Sequence, residues 1–201
     1  MTRIKMCGLR RREDIAAANE LKPEYIGFVF VLSSARAVTP EAAERLRAEL
    51  DPGIRAVGVF ADENPETVAG LLEKGVIDIA QLHGCEDEAY LARLRERTDR
   101  PLMKAFRIGR AEDALQAQTS SADMILLDAG AGDGKTFDWS WLRPVSRPYF
   151  LAGGLNPDNV GRAVRELRPY AVDVSSGIET GGCKDPEKMR AFVSAVRGER
   201  A

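Results

Sequence analysis

Short runs of apolar, β-branched and aromatic residues recur along the chain. They lie at residues 3–9 (RIKMCGL), 25–30 (YIGFVF), 54–60 (IRAVGVF), 76–82 (VIDIAQL), 101–108 (PLMKAFRI), 123–128 (DMILLD), 149–152 (YFLA) and 170–175 (YAVDVS). Each has the length and composition of a strand, and together they predict eight strands. The intervening segments carry charges at helical spacing. In 39–50 (TPEAAERLRAEL) Thr39 fits an N-cap and Pro40 the first helical position, and 86–97 (EDEAYLARLRER) reads as a second crossover helix. Strand-helix alternation implies a parallel sheet covered by helices, and burial on both faces explains why the runs are nearly continuous. Eight such units predict closure into a (β/α)8 TIM barrel. An open doubly wound sheet usually has fewer strands and a glycine-rich first turn, whereas the first turn here reads CGLRRRED. The unit over 129–148 (AGAGDGKTFDWSWLRPVSRP) is the least regular and predicts a long loop with at most a short helix.

A chain of 201 residues with 44% hydrophobic content can bury a full core and is short for two ordinary domains, so residues 1–201 are expected to form one barrel domain. The formal charge of −2, from 29 basic and 31 acidic residues mixed along the chain, provides no footprint for nucleic acid or an anionic membrane. The expected partner is a small molecule. No uncharged apolar run approaches the ~20 residues that span a bilayer, and MTRIKMCG lacks the apolar segment of a signal peptide. A cytoplasmic protein is therefore expected. Cys7, Cys85 and Cys183 form an odd, widely spaced set, which predicts reduced thiols in place of a disulfide framework. Monomer and homodimer are both compatible with the sequence.

In a barrel of this kind the site lies at the C-terminal ends of the strands. Those ends are polar here: Cys7, Phe60 to Asp62, His83, Arg107, Asp128, Gly153-Gly154 and Ser175-Ser176-Gly177. Alternation along a strand puts Lys5 and Cys7 on one face, and Leu126 and Asp128 on one face, so both Cys7 and Asp128 could point into the mouth. The structural alternative for Cys7 is strong, an inert core thiol, because free cysteine is among the most buried residue types. Asp128 carries a charge to the end of a buried strand, where it must be paired or functional; a helix cap or a bridge to Lys5 is the structural alternative. The seventh and eighth strands run into AGGLNPDNV and SSGIETGG. Glycines there let the backbone approach a ligand, and N–H groups at turns bind an anion, which is where many barrels hold a phosphate. GAGDGKT is not a P-loop, because Ala129 stands where the first glycine is required. His83 and Cys85 fall short of a four-ligand zinc site, and no metal is expected.

The ordered set of motifs across all eight units resembles the phosphoribosylanthranilate isomerases of tryptophan biosynthesis. It comprises KMCGL at 5–9, GFVF at 27–30, SSARAV at 33–38, VGVF at 57–60, QLHG at 81–84, LLDAGAGDGKTFDW at 126–139, LAGGLNPDNV at 151–160 and VDVSSGIETGGCKD at 172–185. The resemblance implies a cofactor-independent Amadori rearrangement of N-(5-phosphoribosyl)anthranilate to 1-(2-carboxyphenylamino)-1-deoxyribulose 5-phosphate. It gives Cys7 the role of base and Asp128 that of acid, Arg36 the substrate carboxylate, and Gly153, Gly154, Ser175, Ser176 and Gly177 the phosphate. His83 and Asp173 fall at mouth or inward-facing positions, as substrate contacts or as structural polar groups. An ordinary thiol is only about 3% thiolate at pH 7 and an ordinary aspartic acid roughly 0.1% protonated. Cationic neighbours or backbone dipoles are therefore expected around Cys7, and desolvation around Asp128.

Two departures stand out: Ala35 replaces a proline of the second loop, and the sixth loop reads AGDG with an added charge at Asp133. A related isomerase of histidine biosynthesis would need an aspartate where Cys7 stands. A non-catalytic phosphometabolite-binding barrel is the alternative of a different class.

Overall fold

The computed structural model describes residues 1–128 and 139–198. Its strands are β1 (Arg3–Cys7), β2 (Tyr25–Val29), β3 (Arg55–Phe60), β4 (Ile79–Leu82), β5 (Leu102–Arg107), β6 (Met124–Asp128), β7 (Tyr149–Ala152) and β8 (Ala171–Val174). They pair in chain order, all parallel, and β8 returns to β1 to close the barrel. The eight expected strands are all present, each trimmed at its ends except the seventh. The largest trim is at β4, expected from Val76. There Gly75 adopts φ +71° and the N–H groups of Val76 and Ile77 both turn back to the Leu71 carbonyl, so neither can join the ladder.

Among the described residues the α-helices are α1 (Arg12–Leu21), α2 (Pro40–Ala48), α3 (Pro65–Glu73), α4 (Glu88–Arg95), α5 (Ala111–Ala117), α6 (Val160–Leu167) and α7 (Pro186–Gly198). Their starts follow the sequence signals. Thr39, Asn64 and Asp87 each accept a backbone N–H from the first turn, and Pro40 and Pro65 open α2 and α3. The sixth crossover contributes a single 3-10 turn, Trp139–Leu142, in its described part. After β8 a 3-10 turn (Ser176–Ile178) leads into a hairpin, β9 (Glu179–Thr180) and β10 (Cys183–Lys184), which reverses through Gly181 and Gly182 at φ +59° and +77°. Glycine is favoured at both because an L side chain rarely takes that conformation.

Two apolar shells result. One lies between strands and helices, with Ile4, Met6, Phe28, Phe60 and Phe192 among its buried members. The other fills the barrel, where Tyr25, Val57, Ile79, Met103, Leu126 and Phe150 interlock and Tyr25 meets Phe150 edge-on at 5.2 Å between ring centroids. Above this plug the inward positions turn polar: Lys5, Gln81 and Asp173, then Cys7 packed with Val29 and Val59. That switch is the floor of the site. No helix among the described residues is long and apolar enough to cross a membrane.

Candidate active site

A cavity of about 480 Å³ opens at the C-terminal ends of the strands. It is lined by Cys7 from β1, Arg36 from the β2–α2 loop, Gln81 and His83 from β4, Arg107 from β5, Asp128 from β6, Gly153 and Gly154 after β7, and Asp173, Ser175 and Ser176 from β8 onward. Residues distant in sequence converge there because each ends a neighbouring strand of a closed barrel.

Cys7 is buried, and its inward position is made possible by its neighbour in β2. Gly27 sits opposite it in register, and a Cβ built there would lie 2.8 Å from the Cys7 Sγ. Beneath it Lys5, fully buried, donates to Asp173 Oδ1 at 2.9 Å. Burial pushes the Lys5 ammonium down, but Asp173 and Cys7 together outweigh it and hold its pKa above the ordinary value. It is therefore a fixed cation. For Cys7 the balance goes the other way: desolvation pushes the thiol up, Lys5 and Lys184 pull it down, Asp173 pushes it up again, and the net shift is upward. The cations expected from the sequence are in place, yet burial wins.

Asp128 does not bridge to Lys5; that lysine is taken by Asp173 across the β1–β8 seam, where Lys5 and Asp173 are register partners. The aspartate instead lies 3.3 Å from His83 Nε2, and His83 Nδ1 lies 3.3 Å from Gln81 Nε2. A neutral ring protonated on Nε2 satisfies both contacts, accepting from Gln81 and donating to Asp128. Gln81 Oε1 is buried with no partner among the described residues. Arg107 is the register partner of Asp128 and shares its inward face.

At the other side, Gly153 and Gly154 adopt φ +97° and +64°, turning the backbone after β7. Gly154 opens the loop after β7 and Ser176 and Gly177 open a 3-10 turn after β8, so this corner gathers turn N–H groups of the kind that bind an anion. Gly177 itself does not line the cavity. Its Cα is pressed against the β7 loop, where a Cβ would fall 1.9 Å from the Leu155 carbonyl oxygen. Ser175 Oγ donates to the Cys7 carbonyl at 3.1 Å, tying the anion corner to the strand that carries the thiol.

The family model for N-(5'-phosphoribosyl)anthranilate (PRA) isomerase matches residues 4–195. The chain belongs to this family. An N-(5'-phosphoribosyl)anthranilate isomerase of Endomicrobium trichonymphae is 44% identical over 98% of this chain and 99% of its own length, and one from Thermoanaerobacter sp. (strain X514) is 42% identical over the whole of both. Among solved structures, the phosphoribosyl anthranilate isomerase of Thermotoga maritima superposes with a TM-score of 0.90 at 37% identity, covering 98% of this chain and all of that one. A phosphoribosyl anthranilate isomerase in complex with reduced 1-(o-carboxyphenylamino)-1-deoxyribulose 5-phosphate gives 0.88, also at 37%, with the same coverage. A 3-hexulose-6-phosphate synthase from Salmonella typhimurium, at 14% identity and a TM-score of 0.74, shares the fold alone. The chain is thus a phosphoribosylanthranilate isomerase by family, acting on a small-molecule substrate.

Nine of the ten residues expected at the site line this one cavity, Gly177 excepted. The sixth-loop departure, with Asp133, lies outside the described residues. Ala35, the other departure, offers its carbonyl to Arg10 at 3.0 Å, so the second loop is held from α1's entry. Sequence reasoning missed Glu179 and Lys184. Arg36 places Nε and Nη2 on the two Glu179 oxygens at 2.7 Å each, and Lys184 Nζ reaches the same carboxylate at 2.6 Å. Burial pushes the Glu179 carboxyl up, but these two cations outweigh it and bring it down to about 2. The signal was an acid and a base within the SSGIETGGCK segment, indistinguishable in sequence from hairpin surface charges. Among the described residues no group of three or more His, Cys, Asp or Glu side chains could hold a metal ion.

Proposed function

We propose that Cys7 is the base and Asp128 the acid of the isomerisation, an aldose-to-ketose conversion and so formally an intramolecular oxidoreduction. Asp128 gives its proton to the ribose ring oxygen as the C1–O bond breaks and the anthranilate nitrogen lone pair forms a C1=N iminium. The Cys7 thiolate then removes the C2 proton, and the C2–H electron pair forms C1=C2 while the iminium nitrogen is neutralised. The enolamine tautomerises to the 2-ketone with a proton delivered to C1. The iminium is the electron sink, so the chemistry asks for no cofactor. Gly153, Gly154, Ser175 and Ser176 take the phosphate through backbone donors while Gly177 lets that turn pack against the β7 loop, Arg36 takes the anthranilate carboxylate, and His83 and Asp173 hold Asp128 and Lys5.

The observation that carries this reading is that one cavity is lined together by Cys7, Asp128, Arg36 and the glycine- and serine-bearing ends of β7 and β8. The upward shift of Cys7 means that turnover at limiting substrate should climb with pH as the thiolate fraction grows. All the named residues come from one chain, so the site reads the same in a monomer or a homodimer. We assign the protein to the cytoplasm, where the reduced thiol is maintained.

The test follows the loss of anthranilate-type fluorescence on mixing with freshly generated phosphoribosylanthranilate. The parent should turn over, and Cys7→Ser and Asp128→Asn should each lose about 10²–10⁴-fold in kcat. Near-normal turnover by Cys7→Ser would remove the thiol as base. Silence from all three would leave a phosphate-binding barrel without this activity.

A further inference from the structure

Arg36 is held at both ends. Its stem lies over Gly8, the residue after Cys7, where a Cβ would come within 2.5 Å of the Arg36 Cδ, and its guanidinium is forked onto Glu179. The fork consumes Nε–H and one Nη2 donor. Three of the five donors remain, all on the side turned away from Glu179. The Glu179 carboxylate is itself fixed, since its side chain is only 10% exposed and Lys184 Nζ shares its Oε1 at 2.6 Å. Lys184, nearly fully buried, also donates to the Ser175 carbonyl at 2.9 Å. Glu179 and Lys184 face each other across the β9–β10 hairpin as register partners. The result is a continuous path from Arg36 through Glu179 and Lys184 to Ser175, whose hydroxyl continues to the Cys7 carbonyl. The cluster of two cations and one anion keeps a net positive charge for an incoming anion.

Resting on the reading that Arg36 receives the anthranilate carboxylate, we propose that Glu179 and Lys184 are positioning residues for this reaction: they pre-orient the Arg36 guanidinium and lock it in register with the phosphate corner at Ser175. Neither touches the substrate. An arginine left free would have to surrender side-chain entropy each time it engaged a carboxylate, at ~0.5–1.5 kcal/mol for an immobilised side chain, which is about two- to tenfold in affinity. Glu179→Gln should release it, because an amide presents one acceptor and one donor group to a fork that requires two acceptors.

The experiment measures Kd for two ligands: reduced 1-(o-carboxyphenylamino)-1-deoxyribulose 5-phosphate, and the same compound without the ring carboxyl. The proteins are the unaltered chain, Arg36→Met and Glu179→Gln. Glu179→Gln should weaken the carboxylated ligand by about two- to tenfold while leaving the decarboxylated one within about twofold. Equal weakening of both, or of neither, would overturn the positioning role while Arg36→Met still shows the selective loss. If Arg36→Met shows no selective loss, the carboxylate reading fails and the inference falls with it. A second measurement needs no folded variant of Glu179: the Arg36 Nε–H resonance should exchange slowly in the ligand-free protein and keep its shift when the carboxylated ligand binds. Exchange as fast as that of a solvated arginine would overturn pre-orientation.

Discussion

Replacing Lys5 by methionine tests the electrostatics beneath Cys7, the proposed base. The substitution keeps the side chain's length and apolar stem but removes the ammonium that donates to Asp173 at 2.9 Å and acts on Cys7. Two consequences separate. Asp173 is left at the barrel floor without that cation, and breaking a buried pair typically costs ~3–5 kcal/mol. The second consequence is kinetic. A unit charge at ~4 Å in a medium of effective dielectric about 20 is worth ~4 kcal/mol, a ceiling on what Lys5 does for the thiolate. Among the groups that pull the thiol down Lys5 is the strongest, and the burial and Asp173 that push it up both remain in the variant, so the Cys7 pKa should rise further. A base whose pKa rises loses thiolate at any pH below it, so the rising limb of kcat/KM should move to the alkaline side and activity at neutral pH should fall about tenfold. Fluorescence-monitored kcat/KM from about pH 6 to about pH 10, with urea midpoints alongside, reads both effects. A variant that loses stability while its limb stays in place would refute the electrostatic role and leave Lys5 an anchor.

Gly27→Ala puts a methyl group 2.8 Å from the Cys7 Sγ and 3.1 Å from its Cα; the thiol must move, so kcat should drop by about 10²-fold with ~1–3 kcal/mol of stability lost, and unchanged kinetics would contradict the packing. Lys104→Met breaks a pair at 2.8 Å with Glu86, whose carboxylate also accepts the N–H groups of Asp62 and Gly84; urea unfolding should show ~3–5 kcal/mol lost, with kcat of the folded protein intact because neither residue lines the cavity. Glu179, held at about 2 in the folded protein, contributes stability that is complete above the ordinary glutamate range and disappears as pH falls from there toward its folded value. Comparing urea midpoints of the unaltered chain and Glu179→Gln over that interval should reveal a difference of order ~2–3 kcal/mol that vanishes in acid, and parallel curves would rule the linkage out.

The positions that were legible in the sequence are those whose geometry follows from local periodicity. Cys7, Asp128 and the glycine-rich ends after 152 and 174 fall at the termini of apolar runs, and a two-residue repeat in a closed parallel sheet sends such residues to one mouth. Thr39 and Pro40 likewise fixed the start of α2 by bonds made within three residues. Val76 to Asp78 misled because an apolar run has no mark separating a strand from a tight turn, and only the Gly75 conformation and the Leu71 carbonyl decided it.

What tertiary structure alone decided is pairing between charges far apart in the chain. Lys5 lies 168 residues from Asp173 and Arg36 lies 143 from Glu179, and no local pattern says which acid meets which base. The same holds for the resting state of Cys7: its neighbours are cationic, as the chemistry demands, but the sign of its shift depends on how much water the closed barrel removes. Alternation of apolar and polar residues is a short-range code, sufficient to set the eight strands, the mouth and the placing of Cys7 and Asp128 in it. Electrostatic balance depends on distances and solvent exclusion summed over the whole barrel, and those exist only once β8 has met β1.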